Sequence, residues 1–307
     1  MNTHDVEALI AVIETGSIVG ASARLHLTQP GVTRRVQNLE QALGVELLDR
    51  QSRPLRPTAA GRDAYEWGRR VVRSVEDMAA RFATAGDPAS EIRIGIAPAL
   101  SDLALRTPVD RLRAAHPKLQ LRFSAAWSIP LLARVRSAEL DAAAVTLVDG
   151  EESTGDLAAT ALGTGRVLVV ASVDADIPAR PSLDDLAGFP WVVHPDGCSF
   201  RALVRDTMLA TRLPFEVGGE AFGPELQLSL VARGVGLGLI SDHNLAASPQ
   251  RRSVRVISIR GFRPRARYWL VRRPALGRLD DAVETFGDAL AAELRRRQGA
   301  LGRGSDA

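Results

Sequence analysis

Side chains that can pair with phosphates and base edges are concentrated in two short stretches near the start of this 307-residue chain. Residues 17–39 include Arg24, Arg34 and Arg35 and no carboxylate, and residues 50–62 include four arginines and no carboxylate. A guanidinium group binds phosphate oxygens or guanine, and the amides of glutamine and asparagine match adenine. The residue types in these stretches therefore predict a surface that contacts nucleic acid.

The first stretch is predicted to form the second and third of three short helices. Apolar residues within 5–15 recur at helical spacing and stop at Gly16, a residue type that commonly ends helices. Ser17 and Thr28 are each suited to cap the helix that follows, and the third helix is expected to end at Gly44. Two short helices joined by a tight turn form a helix-turn-helix.

The third helix is predicted to bury one apolar side and to present a polar side outward. The buried stripe consists of Val32, Val36, Leu39 and Leu43. The first residues of such a helix reach base edges in the major groove, so base or near-base contacts are expected there. These contacts are assigned to Gln29, Pro30, Thr33 and Arg34. The remaining candidates for DNA binding on this helix are Thr28, Arg35, Gln37 and Asn38.

The chain between Gly44 and Pro57 turns from apolar to arginine-rich. This pattern suits a two-stranded hairpin, the wing of a winged helix, with arginines at its tip. Arg50, Arg53 and Arg56 on this wing, together with Arg35 of the third helix, are assigned to phosphates or to the minor groove.

A long helix is predicted from Thr58, its cap, to about Phe82, followed by a hinge at 86–90. One narrow apolar stripe runs along the helix, which predicts that it pairs with another helix and that the chain self-associates. The stripe consists of Ala64, Trp67, Val71, Val75, Met78 and Phe82.

From Glu91 onward, short apolar strands alternate with helical patterns, which predicts βαβ units and a mostly parallel sheet. Ser101 and Ser128 each follow a predicted strand and are suited to cap the next helix. Helix starts at the carboxyl ends of strands favour anionic groups, so a ligand that carries a carboxylate is expected there. On the alternative interpretation the two serines are only caps. The tail from Arg295 is expected to fray.

The motifs of the first 62 residues form a specific run, ETGSIVGASARLHLTQPGVTRRVQNLEQALGVELLDR followed by RPLRPTAAG. This run resembles the amino-terminal region of LysR-type transcriptional regulators. The later segments SLDDLAGFPWVV and VARGVGLGLI are similar to parts of that family's effector domain. The resemblance implies a sequence-specific DNA-binding transcriptional regulator whose DNA binding or promoter activation is modulated by a small molecule.

The implied architecture is α/β and multidomain: a winged helix-turn-helix, a long linker helix, and a periplasmic-binding-protein-like effector domain of two α/β subdomains. The expected bounds are 1–58 for the DNA-binding domain, 59–88 for the linker or dimerisation helix and hinge, 89–163 with 265–302 for effector subdomain 1, and 164–264 for subdomain 2. The expected partners are a double-stranded promoter dyad, a small-molecule effector bound between the subdomains, and further copies of the chain in a homodimer or homotetramer.

The resemblance adds cleft residues to the two serines. The full expected set for effector binding is Ser101, Trp127, Ser128, Thr146, His194, Cys198, Ser199, Phe200 and Phe222. Cys198 lies near the reactive cysteine of peroxide-sensing members of the family, but those members use a second cysteine and this chain has one. A lone cysteine is usually a small buried hydrophobe, so redox sensing is the alternative here and not the expectation.

Other classes of protein fit less well. The sum of 39 basic and 36 acidic residues leaves only +3, which excludes a polycationic tail. The five histidines are too scattered for a metal site, and no catalytic set or cofactor motif is assembled, so we expect no metal, no cofactor and no enzyme. A solute-binding protein would need export, and the start lacks the positive residues of a signal peptide. No apolar run could cross a bilayer, so a cytoplasmic chain without a membrane partner is expected.

Overall fold

The computed structural model describes residues 1–82, 91–148, 154–274 and 276–303. The chain divides into two compact units, an amino-terminal unit of Met1–Asp87 with Arg136–Glu139 and a carboxyl-terminal unit of Pro88–Val135 with Leu140–Ala307. The predicted hinge at 86–90 lies outside the described residues.

The amino-terminal unit is a winged helix followed by a long helix. Its elements are α1 (Thr3–Thr15), α2 (Ile18–Leu25), α3 (Gln29–Leu43), β1 (Leu48–Asp49), β2 (Arg56–Pro57) and α4 (Ala59–Phe82). The two strands pair antiparallel, with Leu48 opposite Pro57 and Asp49 opposite Arg56. The predicted order of three helices, hairpin and long helix is therefore confirmed.

The predicted helix caps of the amino-terminal unit are also confirmed. Ser17 Oγ accepts a hydrogen bond from the Gly20 amide at 3.0 Å, and Thr28 Oγ1 accepts one from the Gly31 amide at 3.2 Å. Thr58 Oγ1 accepts one from the Gly61 amide at 2.9 Å at the start of α4. Each bond satisfies a backbone donor that the helix itself leaves without a partner.

The core of this unit is formed by α1, α2 and α3 together with Leu47 and Leu48. Val32, Val36 and Leu39 are buried there, as predicted, but Leu43 is 45% exposed. The predicted stripe is therefore one turn too long, because no other described element of the unit covers the last turn of α3.

The apolar stripe of α4 is largely exposed within the unit. Trp67, Val71, Val75 and Met78 are exposed, whereas Ala64 is partly buried against the α1–α3 core. Ala64 therefore belongs to the side of α4 that contacts the winged helix.

The carboxyl-terminal unit alternates strands and helices around one mixed sheet. Its strands are β3 (Glu91–Ile96), β4 (Gln120–Ala125), β5 (Ala142–Val148), β6 (Ala158–Ser172), β7 (Trp191–Val193), β8 (Val217–Glu220), β9 (Leu237–Ser241), β10 (Val254–Ile257) and β11 (Arg265–Arg272). Its α-helices are α5 (Ser101–Ala104), α6 (Thr107–Ala115), α7 (Ser128–Arg136), α8 (Ser199–Ala210), α9 (Pro224–Ala232), α10 (Asp242–Ala247) and α11 (Asp280–Arg303).

The strands follow the order β4-β3-β5-β11-β6-β9-β7-β8, with β10 paired to β6. The pairs β3–β4, β3–β5, β7–β8 and β7–β9 are parallel, and every pair that involves β6 or β11 is antiparallel. The prediction of a mostly parallel sheet is therefore wrong. The reason is that β6 and β11 lie side by side in the middle of the sheet and run against their neighbours on both sides.

Two local features differ from the sequence expectation. Helix α11 continues to Arg303, into the tail expected to fray from Arg295, and residues 304–307 lie outside the described residues. Glu293 forms ion pairs with Arg296 at 2.5 Å and with Arg297 at 3.6 Å, which stabilise this part of the helix. Strand β8 was not predicted from the sequence, since its two central residues are glycines, which are depleted in strands.

Candidate functional site

The predicted base-contact residues form one open concave surface along α3. We call this surface the reading face; it consists of Gln29, Pro30, Thr33, Arg34 and Gln37, with Ile18 of α2 at its border. Asn38 is exposed beside it, Thr28 caps the helix, and Arg35 is half-buried at the flank. The arrangement leaves the amide and guanidinium groups of one helix side open to solvent.

The arginines of this unit differ in whether a carboxylate of the protein pairs with them. Arg34 forms no ion pair within the described residues, whereas Arg24 pairs with Glu14. Arg50 pairs with Glu40 at 2.9 Å, and Glu40 also accepts a hydrogen bond from the Leu47 amide at 2.9 Å. Arg50 is therefore turned back toward α3, while Arg34 stays open for an external anion.

The predicted wing tip is corrected in detail. Arg50 and Arg53 both lie in the connection between β1 and β2 and are exposed, whereas Arg56 belongs to β2 and is not at the tip. A strand of two residues is too short for the sequence pattern to separate strand from turn.

The carboxyl-terminal unit contains a narrow cavity at the ends of several elements. It is lined by Ala97, Pro98, Ala99, Trp127, Ser128, Thr146, His194, Cys198, Ser199, Phe200, Pro224, Ile240 and Asn244. All predicted effector residues except Ser101 and Phe222 therefore meet at one cavity. Its volume is about 30 Å³, above the roughly 10–15 Å³ that one water requires and far below the roughly 300–1,000 Å³ of pockets for drug-sized ligands.

Thr146 on β5 is the centre of the polar groups in this cavity. Ser128 Oγ donates to the Thr146 carbonyl at 2.7 Å and accepts from the Thr146 amide at 3.0 Å. Ser199 Oγ donates to the same carbonyl at 3.2 Å. The Thr146 hydroxyl itself is buried and has no hydrogen-bond partner in the part of the chain that is described. An unsatisfied buried hydroxyl is a group that a bound polar molecule would satisfy.

The two predicted serine caps are not found. A 3-10 turn, Pro98–Leu100, precedes α5, so Ser101 is the first residue of the helix and lies outside the cavity lining. Ser128 likewise begins α7 instead of preceding it, and its hydroxyl binds β5. The sequence pattern placed both serines at helix starts, but it could not place the first helical residue to within one position.

Trp127 lies between two rings at the rim of the cavity. Its ring centroid is 5.1 Å from that of His194 and 5.2 Å from that of Phe222. Phe222 is 62% exposed and contacts Trp127, but it is not among the residues that line the cavity. His194 Nδ1 contacts the Ala221 carbonyl at 2.6 Å and must donate to it. Burial lowers the pKa of His194, so its Nε2 is an acceptor at neutral pH.

A second polar cluster, which the sequence did not reveal, adjoins the cavity wall at Ala99. His243 Nε2 is 2.8 Å from the Ala99 carbonyl and must donate to it, and Asn244 Nδ2 donates to the same oxygen at 3.3 Å. His243 Nδ1 then accepts from the Tyr268 hydroxyl at 3.3 Å. Burial lowers the pKa of His243, which favours this neutral, directed chain of hydrogen bonds.

Cys198 lines the cavity, is 7% exposed and is not part of a disulfide. It is the residue before α8, and no described side chain caps that helix.

Within the described ranges, no group of three or more His, Cys, Asp and Glu residues could hold a metal ion. The same part of the chain contains no helix that is both long and apolar enough to span a bilayer.

Two family models match the chain. Residues 3–62 match the bacterial regulatory helix-turn-helix protein, lysR family, and residues 85–295 match the LysR substrate binding domain. The chain belongs to the LysR family. It is a DNA-binding transcriptional regulator with a carboxyl-terminal effector-binding domain, and its relatives are regulators and not enzymes.

LysR-family proteins similar to this chain include the DNA-binding transcriptional dual regulator OxyR of Escherichia coli (strain K12), which is 27% identical over 96% of this chain and 96% of its own. The structure of a full-length OxyR variant from Pseudomonas aeruginosa has a TM-score of 0.71 at 19% identity and covers 94% of both chains. Full-length CbnR in complex with its target DNA has a TM-score of 0.60 at 18% identity, with 95% of this chain and all of CbnR covered.

Helical spacing and residue type predicted the reading face, the LysR-type resemblance supplied most of the predicted residues that line the cavity, and both missed three kinds of residue. Glu40, which holds Arg50, is inconspicuous among the carboxylates of the unit. Residues Ala97–Ala99, Pro224, Ile240 and Asn244 line the cavity without any motif of their own. His243 carries no sequence signal either, because its partners Ala99 and Tyr268 come from distant segments.

Proposed function

We propose that α3 reads base edges in the major groove through Gln29, Pro30, Thr33 and Arg34, with Thr28, Gln37 and Asn38 beside them. Arg35, Arg53 and Arg56 contact phosphates or the minor groove, and Arg50 does so only if it leaves Glu40. The observation that carries this proposal is the exposed reading face, on which Arg34 has no carboxylate partner among the described residues. A bidentate arginine on guanine is the commonest specific contact in such complexes.

The test is to select binding duplexes from random-sequence DNA with the wild-type protein and with Arg34→Ala. Loss of preference at one guanine position per half-site, with the other positions retained, is the expected result. Gln41→Ala on the exposed far part of the same helix is the matched control. Identical selected sequences for wild type and Arg34→Ala would show that Arg34 does not read a base.

We further propose that the chain acts as a homodimer or homotetramer on a promoter dyad in the cytoplasm, with the exposed stripe of α4 as the pairing surface. Analytical ultracentrifugation of wild type and Val71→Asp tests the pairing surface. An unchanged mass in the variant would contradict it.

The effector domain is further proposed to consist of subdomain 1, residues 89–163 with 265–302, and subdomain 2, residues 164–264. The cavity then contains residues of both, because Trp127 and Thr146 belong to the first and His194 and Asn244 to the second.

The effector is proposed to bind in the cavity, with a carboxylate or another small anionic group near Thr146 and the start of α8. Two observations in the described chain support this group: the unpartnered Thr146 hydroxyl, and the first amides of α8, which no side chain caps. No arginine or lysine of the described ranges lines the cavity, so hydrogen bonds alone would hold the charge. At about 30 Å³ the cavity admits a few heavy atoms, and a larger effector requires its walls to move apart.

Thermal shift with a panel of small carboxylates and their amides tests this assignment. Stabilisation by carboxylates that Thr146→Val removes is expected, because valine keeps the shape and deletes the hydroxyl. Stabilisation by amides or cations only would exclude the anionic group.

A second candidate effector is a hydroperoxide, and the cavity size together with Cys198 favours it. Relatives of this chain are named hydrogen peroxide-inducible genes activators, for example in Pectobacterium carotovorum subsp. carotovorum, at 27% identity over 93% of this chain. In this reaction the Cys198 thiol loses its proton, the thiolate attacks the terminal peroxide oxygen, the O–O bond breaks, and the leaving oxygen takes up that proton and departs as water or an alcohol. Sulfur loses two electrons and becomes a sulfenic acid, and no second cysteine is present in the sequence to form an intrachain disulfide.

A sulfenic-acid probe and mass spectrometry distinguish the two candidates. Labelling of wild type after hydrogen peroxide, absent in Cys198→Ser, would support peroxide sensing. An unlabelled wild type whose DNA binding does not respond to peroxide would leave the non-covalent effector as the function of the cavity.

A further inference from the structure

Glu14, at the end of α1, connects two other helices of the amino-terminal unit. One carboxylate oxygen, Oε1, accepts a hydrogen bond from the Tyr65 hydroxyl of α4 at 3.0 Å. The other, Oε2, pairs with Arg24 in the last turn of α2. A single side chain therefore joins the helix-turn-helix to the long helix.

Tyr65 is held from its own helix as well. Arg69 Nη1 donates to the Tyr65 hydroxyl at 3.0 Å, one turn further along α4. The hydroxyl has one proton, and because it accepts from Arg69 it gives that proton to Glu14. Hydrogen bonds to charged groups are stronger than neutral ones, so this Arg69–Tyr65–Glu14–Arg24 chain is a firm connection for a surface site.

The backbone of α4 lies close to the winged helix on both sides of Tyr65. A Cβ atom on Gly61 would collide with the Leu47 carbonyl oxygen, and one on Gly68 would lie 2.6 Å from Val6 Cγ1. Gly61, Tyr65 and Gly68 are spaced i, i+4 and i+7, which places them on one side of the helix. This docking side fixes how α4 leaves the winged helix.

The exposed apolar stripe of α4 lies on a different side. At about 100° per residue, Trp67, Val71, Val75 and Met78 are centred roughly a quarter turn around the helix from Gly61, Tyr65 and Gly68. One side of α4 thus holds the winged helix, and the other is open to a second protomer.

We infer that Glu14 is a positioning residue that sets the distance between the two reading faces of a dimer. If α4 pairs the protomers, as proposed above, the angle between α4 and α3 determines where the second reading face lies. Arg24 couples Glu14 to α2, the helix that supports α3, and Tyr65 couples it to α4. Neither bond adds a DNA contact, so their effect is on spacing and not on the affinity of one half-site.

The experiment compares full-length wild type, Tyr65→Phe, Glu14→Gln and the double variant on four duplexes. The probes are the dyad selected by wild type, the same dyad with one base pair inserted or deleted at its centre, and the same dyad with one arm scrambled. For either single variant we expect about a tenfold loss on the native dyad, a change within twofold on the one-armed duplex, and a smaller penalty than wild type for the altered spacing.

Glu66→Gln is the matched control, since Glu66 is an exposed neighbour on α4 with no hydrogen bond or ion pair in the described chain. Losses in the double variant that fall short of the product of the single losses would show that the two residues act through one bond. Equal losses on the native and one-armed duplexes would overturn the inference, because Glu14 would then support the fold of one winged helix. An unchanged spacing profile in both variants would also overturn it. If α4 does not pair the protomers, wild type itself will bind the native dyad no better than the one-armed duplex. This result would contradict the proposed pairing surface and is distinct from the outcomes that test Glu14.

Discussion

The reading face and the cavity present their polar groups in opposite ways. On the reading face, Arg34, Gln29 and Gln37 come from one helix, are exposed and include a positive charge that no described carboxylate pairs. In the cavity, Thr146, His194 and Ser199 come from separate elements, are buried and are bound largely to backbone atoms. DNA is a charged polymer, so solvent-exposed charged groups are enough to bind it. Specific binding of a small molecule requires buried polar groups, whose hydrogen bonds water does not satisfy.

The largest expected effect is a loss of stability at the cavity. Phe200→Ala should lower the unfolding free energy of the carboxyl-terminal unit by about 3–5 kcal/mol, because a buried aromatic ring is lost and a void remains. Urea denaturation monitored by circular dichroism measures it. Phe222→Ala, at the exposed ring outside Trp127, is the control and should change stability by less than about 1 kcal/mol. Equal effects at the two positions would mean that the cavity wall is not packed as described.

The next prediction is a loss of DNA affinity with no change in protein stability. Arg34→Ala should weaken binding to the selected duplex by roughly 1–3 kcal/mol and leave the unfolding free energy within about 0.5 kcal/mol of wild type. Fluorescence anisotropy at constant salt measures the affinity. A comparable loss for a scrambled duplex would assign Arg34 to a phosphate, and a fall in stability would contradict its exposed position on the reading face.

The third prediction uses pH to compare buried and exposed groups. Burial lowers the pKa of His194 and His243 from the ordinary value of 6.5, so the folded state keeps both rings neutral where the unfolded state binds protons. Stability is therefore complete above pH 6.5 and falls below it, by up to about 1.4 kcal/mol per pH unit for each histidine. Urea titrations at pH 7.5 and 5.5 measure the fall.

His243→Gln tests the contribution of that ring, since the glutamine amide can still donate to the Ala99 carbonyl but cannot titrate. The variant should lose part of the pH dependence. An unchanged slope would show that His243 binds its proton equally well in the folded and unfolded states and adds nothing to the pH dependence.

The smallest effect separates two arginines of the wing. Arg53→Ala should lower the slope of log Kd against log salt concentration by about one, the change expected when one phosphate contact is lost. Arg50→Ala should lower it by less, because Arg50 is paired with Glu40. Affinity measured from low to moderate salt gives both slopes. Equal slopes would indicate that Arg50 leaves Glu40 when DNA binds.

Much of the amino-terminal unit was predictable because its signals are local in the chain. The caps at Ser17, Thr28 and Thr58 each bind an amide three residues away, and the burial of Val32, Val36 and Leu39 follows helical spacing. The exposure of Leu43 and the Arg50–Glu40 pair were not predictable, since they depend on which surfaces other elements leave uncovered or bring near.

The sequence by itself determined the order of elements in the amino-terminal unit, the capped helix pair and the segregation of positive charge. These properties arise from contacts within a few residues or from residue type alone. Only the tertiary structure decided that the sheet is mixed, that Ser128 binds Thr146 instead of capping α7, and that Glu14 meets Tyr65. Each of these joins segments far apart in the chain, so it depends on strand register and helix packing that no local pattern encodes.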